Sequence, residues 1–154
     1  MIRVERHTGP RQELRALFEL AEDSAEELDG YIGEGRVLVA RDGDRVVGHL
    51  QLTEGDAPDT IEVKNMAVEE SHQGRGIGRA LMEAAIALLA EEGRSRIVVS
   101  TAAADTGNLR FYQRLGFRML SIDRDAFTAA TGHGGIVIDG IELRDRVWLD
   151  RPVP

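Results

Sequence analysis

The sequence predicts an α/β domain, with a mixed, mostly antiparallel central sheet flanked by helices. Three observations carry this expectation. Short apolar runs bounded by turn residues recur along the chain, two of them around Asp42-Gly43-Asp44, and Asp-Gly between apolar runs is a strong hairpin signal. Segments with apolar residues three or four apart alternate with those runs, as amphipathic helices require. The 154 residues, 42% hydrophobic and 30% charged, suit a single domain spanning residues 1–154 with a core of its own.

Residues 2–6, IRVER, alternate and read as a first strand. Thr8 and Pro10 supply a cap and an early-turn proline for a helix running to about Glu27. Its buried face would carry Leu14, Leu17, Phe18, Ala21 and Ala25, and Asp29-Gly30 would end the segment. VLVARDGDRVVGHLQL then makes the hairpin. After a polar loop from Glu54 to Thr60, residues 61–68 (IEVKNMAV) form a strand whose apolar positions 61, 63, 66 and 68 change phase. A β-bulge near Lys64–Met66 would cause that change. Ala80 to Glu92 has high helix propensity and stops at Gly93. Ile97-Val98-Val99 suits a strand buried on both faces. Thr106 to Leu115 is a short helix closed by Gly116, Phe117 to Ile122 is a strand, and residues 123–142 are irregular. The alternating run 143–149 ends the sheet. This order of elements is that of a mixed sheet.

A net charge of −8 argues against general nucleic-acid binding, which rests on neutralising phosphates. No apolar run approaches the ~20 residues needed to cross a bilayer, and MIRVERHTGPRQ has no apolar segment of the secretory kind. The expectation is a cytoplasmic protein with neither a membrane nor a nucleic acid as partner. Cysteine is absent, which excludes disulfides, thiolate metal sites and a cysteine nucleophile; no metal is expected. Lys64 is the only lysine, so no Gly-Lys-Ser/Thr phosphate loop exists.

The densest signal is HQGRGIGRA, His72 to Ala80, with three glycines and two arginines where a helix begins. Glycines let backbone N–H groups converge, and a helix N-terminus adds unpaired donors and partial positive charge. That is an anion site, against the plainer alternative of a sharp turn. The dinucleotide pattern G-x-G-x-x-G/A fails, because Arg79 or Leu81 stands at its last position. Gln-x-x-Gly-x-Gly, Gln73 to Gly78, does fit, and it resembles the pyrophosphate-binding signature of the GNAT superfamily of acetyl-CoA-dependent N-acetyltransferases. A second motif of that family, a helix with Asn, then Tyr, then Gly-Phe, is similar to Asn108 to Phe117 (NLRFYQRLGF). The resemblance implies a GNAT-like acyl-CoA N-acyltransferase fold and acetyl-CoA as acyl donor. It also implies that the amides of Gln73, Gly74, Arg75, Gly76, Ile77, Gly78 and Arg79 hold the CoA pyrophosphate. Backbone near Met66 and Val68 would meet the pantetheine arm. Asn108 would bond the same arm or cap its helix, and Arg110 and Arg114 would reach the CoA 3′-phosphate or simply face solvent.

Acetyl transfer to an amine needs a base, a donor for the developing oxyanion, and a proton for the departing thiolate. Tyr112 is the candidate acid, its alternative being a packing aromatic. Glu62 is the candidate base; some family members carry a catalytic glutamate in this strand, and its alternative is a solvent-facing residue. His72 and His49 are backup bases. An N–H near Met66 freed by the bulge would polarise the thioester carbonyl. Without cysteine, the expected route is direct attack by a primary amine, small molecule or protein, in a ternary complex. The long loop from Asp123 to Glu142, with Asp125, Phe127, His133 and Asp139, would wall the acceptor pocket or form a homodimer contact. A non-catalytic acyl-CoA-binding or sensing domain is the competing function, and an unrelated nucleotide-binding protein is disfavoured by the failed phosphate-loop patterns.

Overall fold

The computed structural model describes residues 1–154. The first strand, β1 (Ile2–Arg6), leads through a single 3-10 turn at Arg11–Leu14 into two short helices, α1 (Arg15–Glu19) and α2 (Ala25–Tyr31). The single helix expected to about Glu27 is therefore broken. Ser24 starts the second piece by accepting the Glu27 N–H at 3.2 Å, Gly30 lies inside α2, and Ala21 and Ala25 are exposed while Leu28 and Tyr31 take the buried positions.

The hairpin forms as expected, from β2 (Arg36–Asp42) and β3 (Arg45–Glu54), and β4 (Thr60–Val68) pairs antiparallel with β3. Opposite β4 the register steps from Gln51–Asn65 to Leu52–Val63, so Lys64 is the extra residue of a bulge. A 3-10 turn at Glu70–His72 precedes α3 (Ile77–Glu91), which begins three residues before the propensity run suggested. Then follow β5 (Arg96–Ala102), α4 (Thr106–Arg114) and β6 (Arg118–Asp123). Within the stretch expected to be irregular, β7 (Val137–Ile138) and β8 (Ile141–Glu142) form a small hairpin, turned at Asp139 and Gly140, both with positive φ. The chain ends in β9 (Arg146–Pro152).

The main sheet has seven strands in the order β1-β2-β3-β4-β5-β9-β6. Only β4 and β5 run parallel, so the sheet is mixed and mostly antiparallel. One face packs on α3 and α4 through Leu50, Val63, Leu81, Ile97, Tyr112 and Leu149. The other face carries α1 and α2 on Phe18, Leu28, Val37 and Val39. β6 is an edge strand with every residue exposed. No helix is long and apolar enough to cross a membrane.

Candidate active site

The two parallel strands do not stay together. β4 and β5 pair only from Thr60–Val63 against Arg96–Val99; beyond that the bulge at Lys64 turns β4 away while β5 continues beside β9. A cleft of about 1070 Å³ opens at the carboxyl ends of the two strands, where ligands enter open α/β sheets. It reaches both faces of the sheet.

On the α3 face it meets the glycine turn. Gly74 and Gly76 have φ of 77° and 79°, a conformation side chains rarely adopt, and a Cβ at either would meet open space. Gly76 caps α3 without a side-chain bond, and the amides from Gly74 to Arg79 have no acceptor within the protein. Gly78 serves packing instead: a Cβ there would stand 3.1 Å from the Phe111 ring, so glycine lets α3 approach α4. The turn thus has free donors, helix-terminal polarity and room for a phosphate. Gln73 differs from its neighbours. Its N–H goes to the Glu70 carbonyl at 3.3 Å and its side chain donates to the Val68 carbonyl at 3.0 Å, tying the turn to the end of β4. Arg75 does not line the cleft, and Arg79 pairs with Glu83 on its own helix at 2.8 Å.

α4 contributes the other wall. Its cap is Asp105, whose carboxylate accepts the Asn108 N–H at 2.9 Å, so Asn108 is not the cap. The Asn108 side chain lines the cleft and donates to Thr101 Oγ1 at 3.3 Å. Tyr112 is 6% exposed, lies edge-on between Phe111 and Phe117, and lines the cleft with no protein partner for its hydroxyl. Burial, helped by the Asp105 carboxylate, raises the Tyr112 phenol well above its ordinary value, so it stays protonated. Arg114 also lines the cleft and Arg110 does not.

On the opposite face lies Glu62, half-buried and without an ion-pair or hydrogen-bond partner. Burial pushes its carboxyl up, against the lowering effect of the Lys64 and Arg146 charges. Around it stand Phe127 and His133, expected from the loop, with Arg146, Tyr31 and Glu22, which the sequence did not single out. Arg146 packs its guanidinium 4.9 Å from the Phe127 ring and 5.9 Å from that of Trp148. Lys64 lies over the Tyr31 ring at 4.9 Å. The Tyr31 hydroxyl donates to Glu22 at 2.9 Å and accepts from Asn65. His133, 3% exposed, has Nε2 at 3.6 Å from Glu22 and 3.9 Å from Glu27. The ligand atoms of these three lie within 4.8 Å of one another, but Glu22 already accepts from Tyr31 and from the Ser24 N–H. The cluster acts as a latch between α2 and the 124–145 loop. That loop walls the cleft with Phe127, His133, Ile138 and Leu143; Asp125 instead binds Arg144 at 2.6 Å.

The backup bases are accounted for. His49 is fully buried against Phe18, with Nε2 at 2.8 Å from Asn65, and burial holds it neutral, down at about 4. It does not line the cleft. His72 is fixed to Asp42 at 3.0 Å and to Ser71.

Residues 5–117 match the family model described as the acetyltransferase (GNAT) family. The uncharacterized N-acetyltransferase YvbK of Bacillus subtilis (strain 168) is 34% identical over 97% of this chain and 96% of its own. A Bacillus subtilis acetyltransferase solved in complex with CoA superposes with a TM-score of 0.90 at 32% identity, over all of both chains. A GNAT acetyltransferase from Elizabethkingia anophelis with acetyl-CoA bound gives 0.89 at 30% identity, over 98% and 97%.

Proposed function

The chain belongs to the acetyltransferase (GNAT) family, and on that premise we propose that it transfers an acetyl group from acetyl-CoA to a primary amine by direct attack in a ternary complex. One observation carries the reading: a single cleft joins the unpartnered amides at the start of α3 to Glu62 and Tyr112, two groups able to move protons. In this reading the amides from Gly74 to Arg79 hold the pyrophosphate, Gln73 fixes the turn, and the backbone near Met66 and Val68 meets the pantetheine arm with Asn108. Acetyl-CoA supplies the activated thioester. Glu62 takes a proton from the acceptor's ammonium. The freed nitrogen bonds to the acetyl carbon, the carbon–sulfur bond breaks, and Tyr112 gives its proton to the departing sulfur, recovering the second proton that nitrogen loses. A backbone N–H at the bulge near Met66 steadies the carbonyl oxygen. The exposed Met119, Leu120 and Ile122 on the β6 edge support self-association of two copies there.

Calorimetric titration with acetyl-CoA, using ATP and NAD as controls, tests the donor site; selective binding of acetyl-CoA is expected. Tyr112→Phe is expected to lower turnover by about 10²-fold with acetyl-CoA affinity unchanged. An equal loss of affinity would give Tyr112 a packing role, and binding without turnover of any amine would favour a sensing domain.

A further inference from the structure

The acceptor half of the cleft holds three charged groups, Glu62, Lys64 and Arg146, that feel one another's charge but make no ion-pair or hydrogen-bond contact. Glu62 has no partner, and neither Lys64 nor Arg146 has a carboxylate within 4.0 Å, although every other cleft-lining group of this half with a strong charge is either engaged or on the outer rim. Glu22 is taken by Tyr31 and Ser24, Glu27 faces His133, and Asp23 is exposed at the mouth. The three free groups share one side of the sheet. Glu62 alternates with Ile61 and Val63, which enter the α3-side core, and Arg146 alternates in the same way with Val147. Arg146 is also shielded: Phe127 and Trp148 flank its guanidinium, and its Nε is buried with no acceptor. Stacking of this kind fixes the plane of a guanidinium and leaves its outer N–H pair for a forked bond to an oxyanion. A half-buried cation held by aromatic faces, with no carboxylate in contact and its outer N–H pair free, is complementary to an anion that arrives with the ligand.

Resting on the acetyl-transfer reading, we propose that the acceptor is a small amine that also carries a carboxylate: its ammonium meets Glu62, and its carboxylate meets Arg146 with Lys64 beside it. The acidic rim of Asp23 and Glu27 draws the ammonium end inward, and the apolar surface of Phe127, Ile138 and Leu143 surrounds the rest of the molecule.

The test is steady-state acetylation, with acetyl-CoA, of glycine, β-alanine, γ-aminobutyrate and phenylalanine, each against its carboxamide, with spermidine as a polycationic control. For at least one pair the acid is expected to exceed its amide in kcat/KM by about tenfold to a hundredfold, the range of a charged hydrogen-bonded pair. Arg146→Gln is expected to bring that ratio close to one, and Arg146→Lys to restore part of it. Lys64→Gln, at an exposed position that carries no core packing, is expected to reduce the ratio by a smaller factor, and it serves if Arg146→Gln does not fold. Amides turned over as well as or better than every acid would overturn the proposal while leaving acetyl transfer in place. Spermidine as the fastest acceptor would overturn it in favour of recognition by the rim carboxylates. A protein that binds acetyl-CoA but acetylates none of these amines would overturn this proposal; acetyl transfer itself would fall only if peptides with free N-termini and lysines, assayed alongside, also gave no CoA release.

Discussion

The two halves of the cleft are made from different material. The half under α3 is backbone: a glycine turn, open amides and a helix end, backed by a dry apolar core. The half under α1 and α2 is side chain: a polar chain runs from His49 through Asn65 and Tyr31 to Glu22, with His133 beside it, and Glu62, Lys64 and Arg146 stand at its edge. Backbone geometry suits a constant ligand part such as a pyrophosphate, because any residue supplies an N–H. Side chains suit the variable partner, because each can be exchanged without rebuilding the turn. A family with one donor and many acceptors would divide its site in this way.

The sharpest way to separate the halves is Glu62→Gln. It is expected to lower kcat by about 10²–10³-fold, as for a lost general base, and to leave acetyl-CoA affinity unchanged in calorimetry. In the wild type, turnover should fall as pH drops through a value above the ordinary carboxylate range, because burial raises Glu62. Stability moves the other way. A carboxyl raised on folding binds its proton more tightly in the native state, so its charge opposes folding once pH exceeds the folded value. The glutamine variant should therefore melt higher than wild type at pH 7.

His49 probes the polar half from inside. Held at about 4 in the fold against 6.5 unfolded, it makes the unfolded chain bind more protons between those values. Stability is complete above pH 6.5 and is lost as pH falls toward 4, by about 3 kcal/mol from this one group. His49→Gln keeps a donor for Asn65 and should flatten that part of the pH dependence in urea denaturation. An unchanged profile would assign acid sensitivity to other groups.

The difference between the halves also explains what could be read from the sequence. The turn, the bulge and the Asn108–Phe117 motif, whose helical part belongs to α4, are local patterns, each within ten residues or so, and each lies where its pattern indicated. Asn108 was ambiguous because an asparagine near a helix start is a good cap; Asp105, three residues earlier, holds that place. Arg146, Phe127 and Lys64 come from β9, a loop and β4, and only the sheet order β4-β5-β9 brings them together. No spacing announces that. Two missed features did have local signals. Asp139-Gly140 is the turn of the β7–β8 hairpin, and Ser24-x-x-Glu27 has the form of a capping box start.

Gly76→Val tests the backbone half alone. A Cβ at Gly76 would meet nothing, so no packing is disturbed, but φ of 79° is strained for valine. Relaxation would turn the amides out of convergence. Acetyl-CoA affinity is expected to weaken by about tenfold to a hundredfold, as for loss of one or two charge-assisted bonds. Affinity equal to wild type in a folded variant would place the pyrophosphate elsewhere.

The smallest effect tests whether the halves are coupled. Ser24→Ala removes the acceptor for the Glu27 N–H, which should destabilise the protein by about 1 kcal/mol and lower Tm by about 2–4 °C. Its functional trace should be one-sided. α2 carries Tyr31 and Glu27, which contact Lys64 and His133 on the proposed acceptor side, whereas no hydrogen bond or ion pair joins α1 or α2 to the glycine turn. KM for the amine should rise a few-fold while the acetyl-CoA Kd stays at its wild-type value. A matching change in both constants would mean that the split between β4 and β5 responds to α2 as a unit, and that the cleft is one mechanical element rather than two sites sharing a boundary.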